Sequence, residues 1–152
     1  MINKTIKLNN LELKTFTEQD VLDYCQLNNL NPDNIYELTI DYNKLSNISG
    51  VKLFKNLKIL NIGYNLLENI NIVKNLINLK TLTVMNNEIK NISVLKDLKD
   101  LSYLNIDNNE IKDISVLKNL INLKTLTVMN NKIKDISVLK DLTNLDFFGY
   151  IK

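Results

Sequence analysis

Two carboxylates, one thiol and a row of lysines are the residues whose types and spacing raise a question of chemistry. Asp41 and Asp107 fall at equivalent strand-end positions, Cys25 is the sole cysteine, and Lys52, Lys74, Lys96, Lys118 and Lys140 recur every 22 residues. Paired acids would suggest glycoside hydrolysis, but three strand spacings of ~4.8 Å put these two ~14 Å apart, too far for either acid–base geometry. A reactive thiolate needs a neighbour that lowers its pKa, and the chain has neither His nor Arg. Cys25 is therefore expected to be a small core residue. A lone Cys without His holds no zinc, and three glycines assemble no phosphate-cradling loop, so neither catalysis nor any cofactor or metal is expected. The lysine row could attract phosphates or acidic lipids. Asp97 and Asp141 sit beside it, however, and solvated lysines also prevent edge aggregation, so a nucleic-acid or phospholipid partner is the lesser reading.

The elements that must position these groups belong to one domain. The 152 residues are 45% hydrophobic and 24% charged, an ordinary globular balance with enough apolar surface for a sizeable core. A net charge of +2 advertises no polyanionic partner. Arg, Ala, His and Trp are absent while Asn, Lys and Ile abound, the codon bias of an AT-rich genome. One cysteine cannot form an internal disulfide, and "MINKTIKLNN" has no apolar run resembling a signal peptide, so a cytoplasmic location is expected unless a leader has been removed. No segment approaches the ~18 apolar residues of a spanning helix.

A duplication organises the chain. "NLKTLTVMNN" occurs at Asn78–Asn87 and again at Asn122–Asn131, and the flanking Lys74–Leu98 and Lys118–Leu142 differ only at Glu88 versus Lys132 and Asn91 versus Asp135. Beneath this period of 44 lies a unit of 22, with five consecutive units starting at Ile35, Leu57, Leu79, Leu101 and Leu123. Seven places in each unit are apolar (the first, fourth, sixth, eleventh, fourteenth, seventeenth and twentieth), and every one is Leu, Ile or Val except Phe54. Neither a helix nor a plain strand has that spacing. One such coil directs seven apolar side chains inward but cannot seal its own interior, so the coils must stack. The ninth place is always Asn (Asn43, Asn65, Asn87, Asn109, Asn131), where the chain leaves its strand and a buried amide can satisfy stranded backbone groups.

The opening L-x-x-L-x-L-x-x-N-x-I/L matches the leucine-rich-repeat signature, a short strand followed by a turn and an irregular return. By these residues the array resembles the 22-residue repeats of the internalin type, shared with an intracellular regulator of protein serine/threonine phosphatases. The resemblance runs from Ile35 to about Tyr150, without the family's usual finishing cap. It implies an α/β solenoid, a leucine-rich-repeat horseshoe with a parallel concave β-sheet and an irregular or 3₁₀ convex side. It also implies a non-enzymatic protein–protein interaction module that holds a protein partner on its concave strand face. A surface or secreted internalin-like adhesin or virulence factor is the alternative.

Residues 1–34 are read as an N-terminal cap, residues 35–144 as five repeats, and residues 145–152 as a truncated sixth. In the cap, "IKLNNLEL" predicts a hairpin turning at Asn9-Asn10, and Thr17 with Asp20 predicts a capping box for a helix from Glu18 to about Asn28 carrying Val21, Leu22 and Cys25 on one side. Strand side chains alternate, so the third and fifth places of each repeat face the concave side, joined by the seventh and eighth. These places hold no lysine in any repeat and supply the candidate partner-binding residues Tyr42, Ile59, Tyr64, Thr81, Met85, Tyr103, Asn105, Asp107, Thr125, Met129 and Phe147. Aromatics and methionines without cations are the composition of a protein-contact surface, whereas β-propensity alone would account for Thr and Tyr but not for the Met pair. At the far end, Leu145, Phe148 and Tyr150 are expected to fold over the fifth coil as a minimal cap, with Phe147 on the rim and Ile151 nearby. This favours a monomer over an end-to-end homodimer.

Overall fold

Five residues of the first 22-residue unit and three of each later one form strand, and the remaining residues carry the chain round the coil and back. The computed structural model describes residues 4–149. Among them one parallel sheet of seven strands runs in chain order: β1 (Lys4–Lys7), β2 (Ile35–Thr39), β3 (Ile59–Asn61), β4 (Thr81–Thr83), β5 (Tyr103–Asn105), β6 (Thr125–Thr127) and β7 (Phe147–Gly149). Register is strict, with Leu38, Leu60, Leu82, Leu104, Leu126 and Phe148 paired across successive strands. On the opposite side each coil returns through a five-residue 3₁₀ helix: Ser49–Leu53, Asn71–Asn75, Ser93–Asp97, Ser115–Asn119 and Ser137–Asp141. An Asn or Asp two residues ahead of each helix starts it: the Oδ1 atoms of Asn47, Asn69, Asn91, Asp113 and Asp135 accept the N–H of Ser49, Asn71, Ser93, Ser115 and Ser137.

The seven-place pattern is the core. All its members are buried except in the last repeat, where Ile136 is 40% exposed and Leu139 is half-buried. The asparagine ladder ties coil to coil. The Asn65 amide donates to the carbonyls of Ile62 and Gly63 in its own repeat and of Ile40 in the one before, while its Oδ1 accepts the Leu45 N–H. Asn87, Asn109 and Asn131 repeat the same four bonds. The ninth place is thus a structural staple, since a buried carbonyl without a donor is costly.

The N-terminal segment differs from the predicted hairpin. β1 lies parallel to β2, and after the Asn9-Asn10 turn the chain does not fold back on β1. It continues as a coil. Ile6 pairs with Leu38, Asn43 Oδ1 accepts the N–H groups of Leu11 and Leu13, and Thr15 bridges to Asn47 in parallel. Leu8, Leu13 and Phe16 therefore occupy the sixth, eleventh and fourteenth places of a cryptic repeat whose return is helix α1 (Glu18–Leu27) rather than a 3₁₀ turn. Parallel pairing won over the hairpin because it buries Ile6 and gives the Asn43 amide its partners.

Helix α1 begins at the expected capping box, with Asp20 N–H on Thr17 Oγ1 and Thr17 N–H on Asp20 Oδ2. It buries Val21 and Cys25 and leaves Leu22 exposed. Gly50 makes room for it: a Cβ there would lie 2.3 Å from the Thr17 carbonyl oxygen and 2.7 Å from Val21 Cγ2. The equivalent place in later repeats is Ile72, Val94, Val116 and Val138. At the far end Leu145 and Phe148 are half-buried against the core, while Tyr150 and Ile151 lie outside the described residues.

Candidate functional site: the concave face

Register places the face in two rows. One runs Thr5, Glu37, Ile59, Thr81, Tyr103, Thr125, Phe147, and the other Lys7, Thr39, Asn61, Thr83, Asn105, Thr127, Gly149. The strands thus bring Ile59, Thr81, Tyr103, Thr125 and Phe147 into one line. Phe147 is 56% exposed, Ile59 is also exposed, and Thr81, Tyr103, Thr125, Met85, Met129 and Asn105 are half-buried. The cryptic first coil adds Lys7 to the face, a cation that the five repeats lack. Extending the register backwards from Leu38 through Leu8 and Ile6 is the signal that would have found it.

A second tier of polar groups holds the strand ends. Asn61 donates to Asp41 Oδ2 at 3.0 Å and accepts the Gly63 N–H, and Asn105 accepts the Asp107 N–H. Asp107 differs from its expected role as a solvated contact. It is only 4% exposed, and its Oδ1 accepts the Met129 N–H at 2.6 Å, joining one repeat to the next. Burial pushes its carboxyl pKa up, with the Met129 N–H and the Thr127 hydroxyl opposing that shift. Gly63 is also buried, and Met85 Cγ would lie 3.1 Å from a Cβ placed on it, so the missing side chain lets the Met85 stem settle. Asn105 in turn reaches the Met85 sulfur at 3.5 Å.

The eighth place is conformationally unusual. Tyr42, Tyr64, Asn86, Asn108 and Asn130 all have φ of 52–53°. Asn adopts the left-handed region readily, whereas other L-residues there cost ~1–2 kcal/mol. Asn130 bonds the Asn108 side chain at 2.8 Å; Tyr42 and Tyr64 instead stack, with ring centroids 4.1 Å apart and planes 10° from parallel. They remain 49% and 36% exposed. The strand-alternation rule puts this place on the surface but cannot reveal its backbone conformation.

The other candidate groups lie elsewhere. Lys52, Lys74, Lys96, Lys118 and Lys140 are exposed near the ends of the 3₁₀ helices, and Lys52 pairs with Glu18 at 2.6 Å. Burial raises the Cys25 thiol pKa and disfavours its thiolate. No helix among the described residues is long and apolar enough to cross a membrane.

The family model for leucine-rich repeats (2 copies) matches residues 77–119. Among solved structures, an internalin (inlF) from Listeria monocytogenes is 36% identical with a TM-score of 0.75, covering 78% of this chain and 36% of that one. Internalin C2 from the same organism is 26% identical with a TM-score of 0.70, covering 97% of this chain and 80% of that one. The functional domain of Listeria InlJ, at 23% identity and a TM-score of 0.69, shares the fold over 77% of this chain and 25% of its own, and includes a cysteine ladder for which this chain, with Cys25 alone, has no counterpart. A comparison with curated protein sequences finds no match. Stacked 22-residue coils, a parallel sheet, the asparagine staple and these likenesses together make the chain a leucine-rich-repeat protein with repeats of the internalin type.

Proposed function

We propose that the chain is a non-enzymatic module that holds a protein partner on its concave face. The observation that carries this reading is the row in which Ile59, Tyr103 and Phe147 alternate with Thr81 and Thr125, with Met85 and Met129 beside it: apolar and aromatic side chains spaced by threonines, in register on a regular sheet. Such residues contribute most of the binding energy where proteins meet. The raised thiol of Cys25 and the buried, singly placed Asp107 offer no nucleophile or acid pair for an enzyme. The likeness to the internalin inlF favours a second reading, a surface or secreted adhesin built on the same face. It spans 36% of that chain, so only the shared repeats carry it.

The test is the double substitution Tyr103→Lys with Met85→Lys. It should abolish capture of the partner while circular dichroism and melting stay within a few degrees of the parent, because partly exposed positions add little to folding. Capture that survives both lysines would assign the partner to another surface.

A further inference from the structure

Large side chains alternate across the concave face from one coil to the next. Ile59, Tyr103 and Phe147 stand at the third place of every second coil, and Met85 and Met129 stand at the seventh place of the coils between. In the coils of Met85 and Met129 the third place holds the smaller Thr81 and Thr125. In the coil of Tyr103 the seventh place holds Asp107, which is buried and tied down by the Met129 N–H. Two staggered ridges therefore leave recesses on three successive strands, over Thr81, Asp107 and Thr125. The ridges stand four residues apart along the strand, ~13 Å at ~3.3 Å per residue, with Thr83, Asn105 and Thr127 as the floor between them.

Spacing decides what fits such a trough. Neighbouring strands lie ~4.8 Å apart, so the recesses over Thr81 and Thr125 are separated by ~9.6 Å and the one over Asp107 falls midway on the other side. An α-helix rises ~1.5 Å per residue, which puts residues seven apart on one side at ~10.5 Å and the residue three or four places on at about half that rise, towards the other side. The two spacings differ by ~1 Å, which the flexible methionines can absorb. A helix with its side chains is ~10–12 Å across, close to the width between the ridges. An extended peptide repeats on one side every ~6.6 Å, and β3 to β6 are each bonded to a strand on either side, so the face offers it no strand edge to join. A polyproline ribbon repeats every ~9.3 Å, but three residues per turn do not divide into two opposite steps. Among the described residues from Ile59 to Phe147, the one charged group at the third, fifth and seventh places is the buried Asp107. The seam laid on it must be uncharged to match.

We propose that the trough receives an amphipathic α-helix of the protein partner, lying across the strands with an apolar seam of heptad spacing. Residues i and i+7 enter over Thr81 and Thr125, and the residue between them packs over Asp107 between Met85 and Met129. This inference rests on the concave-face reading above and adds to it the form of the partner.

The probe is a mixture of three phage-displayed peptide libraries panned on the full chain: three-heptad helices randomised at the first and fourth heptad places, extended peptides randomised at alternate residues, and proline-rich peptides. Binders should come from the helical library with apolar residues at i and i+7, and synthetic copies should bind saturably by fluorescence anisotropy. The discriminating variant is Thr81→Tyr with Thr125→Tyr. It installs the residue that Tyr103 supplies at the same place, so the melting temperature should hold while the recesses close and helix binding weakens at least tenfold. On a merely apolar face, two more tyrosines would leave binding equal or tighten it. A second measurement needs no change in the chain: the helical binder with lysine at i+7 should also bind at least tenfold more weakly. Binders drawn from the other two libraries, no helical binder, or helix binding indifferent to either change would overturn the inference. Binding lost in Tyr103→Lys, Met85→Lys but kept in the tyrosine variant sinks the helix and leaves the concave-face reading standing; partner capture that survives those lysines sinks the concave-face reading itself.

Discussion

The first two repeats and the last three share one core and differ in what surrounds it. In the duplicated part, Leu82 and Leu126, Val84 and Val128, and Asn87 and Asn131 occupy the same places, and the two asparagines make the same four bonds, while Leu82 pairs with Leu104 and Leu126 with Phe148. The two differences between the copies are absorbed locally. Asn91 and Asp135 each accept a serine N–H at 2.8 Å, and Lys132 finds Glu110 at 3.0 Å where a copied glutamate would have faced an acid. The N-terminal part is made instead of single occurrences: Gly50 under α1, Gly63 under Met85, Phe54 stacked on Phe16, and tyrosines at the left-handed places. Coils whose interiors obey one rule can be copied without penalty. Residues that meet something other than an identical coil cannot.

The largest effect expected from breaking this contrast is at Gly50. Gly50→Val installs the residue that later repeats carry, but its Cβ would collide with the Thr17 carbonyl and Val21. Backbone cannot yield as a flexible side chain can, so α1 must lift from the first repeat, with a loss of ~3 kcal/mol or more on denaturant melting. A neutral result would mean that α1 is not seated as described.

Next come the staples. Asn87→Ala removes four bonds between buried groups and should cost ~1–3 kcal/mol, whereas Asn131→Ala, half-buried in the last complete repeat, should cost visibly less. Equal losses would show that the ladder is uniform and that exposure at the end of the array does not matter.

The smallest effect belongs to Lys132→Glu, which restores the sequence of the earlier copy. The hydrogen bond and charge of Lys132 lower the Glu110 pKa in the folded chain, so this pair's stabilisation is present above the unfolded pKa and fades as pH falls through the folded one. Both side chains are largely in water, and the change should be slight, confined to neutral pH and removed by salt. A large, salt-resistant loss would give this surface pair a weight that its exposure does not suggest.

Much of this architecture is legible without coordinates because it depends on spacing. Leucines at the first, fourth and sixth places and Asn at the ninth can be satisfied together only by a stacked coil, and the buried positions from Ile35 to Leu123 follow from that rule. Thr17 and Asp20 are likewise legible, since a capping box is a contact between residues three apart. The N-terminal coil was harder to read because local turn chemistry at Asn9-Asn10 favours a hairpin, while its competitor, the strand at Ile35–Thr39, lies about thirty residues away.

What the sequence determined by itself is therefore the repeat: its length, its inward residues and its staple, each a matter of local order that every coil obeys. Tertiary structure alone decided whatever depends on a neighbouring coil. It turned β1 parallel, buried Asp107 under the Met129 amide, closed Gly50 against α1 and brought Tyr42 within stacking distance of Tyr64. Those contacts join residues about 20 or more positions apart, and their energies depend on distances that spacing along the chain does not specify.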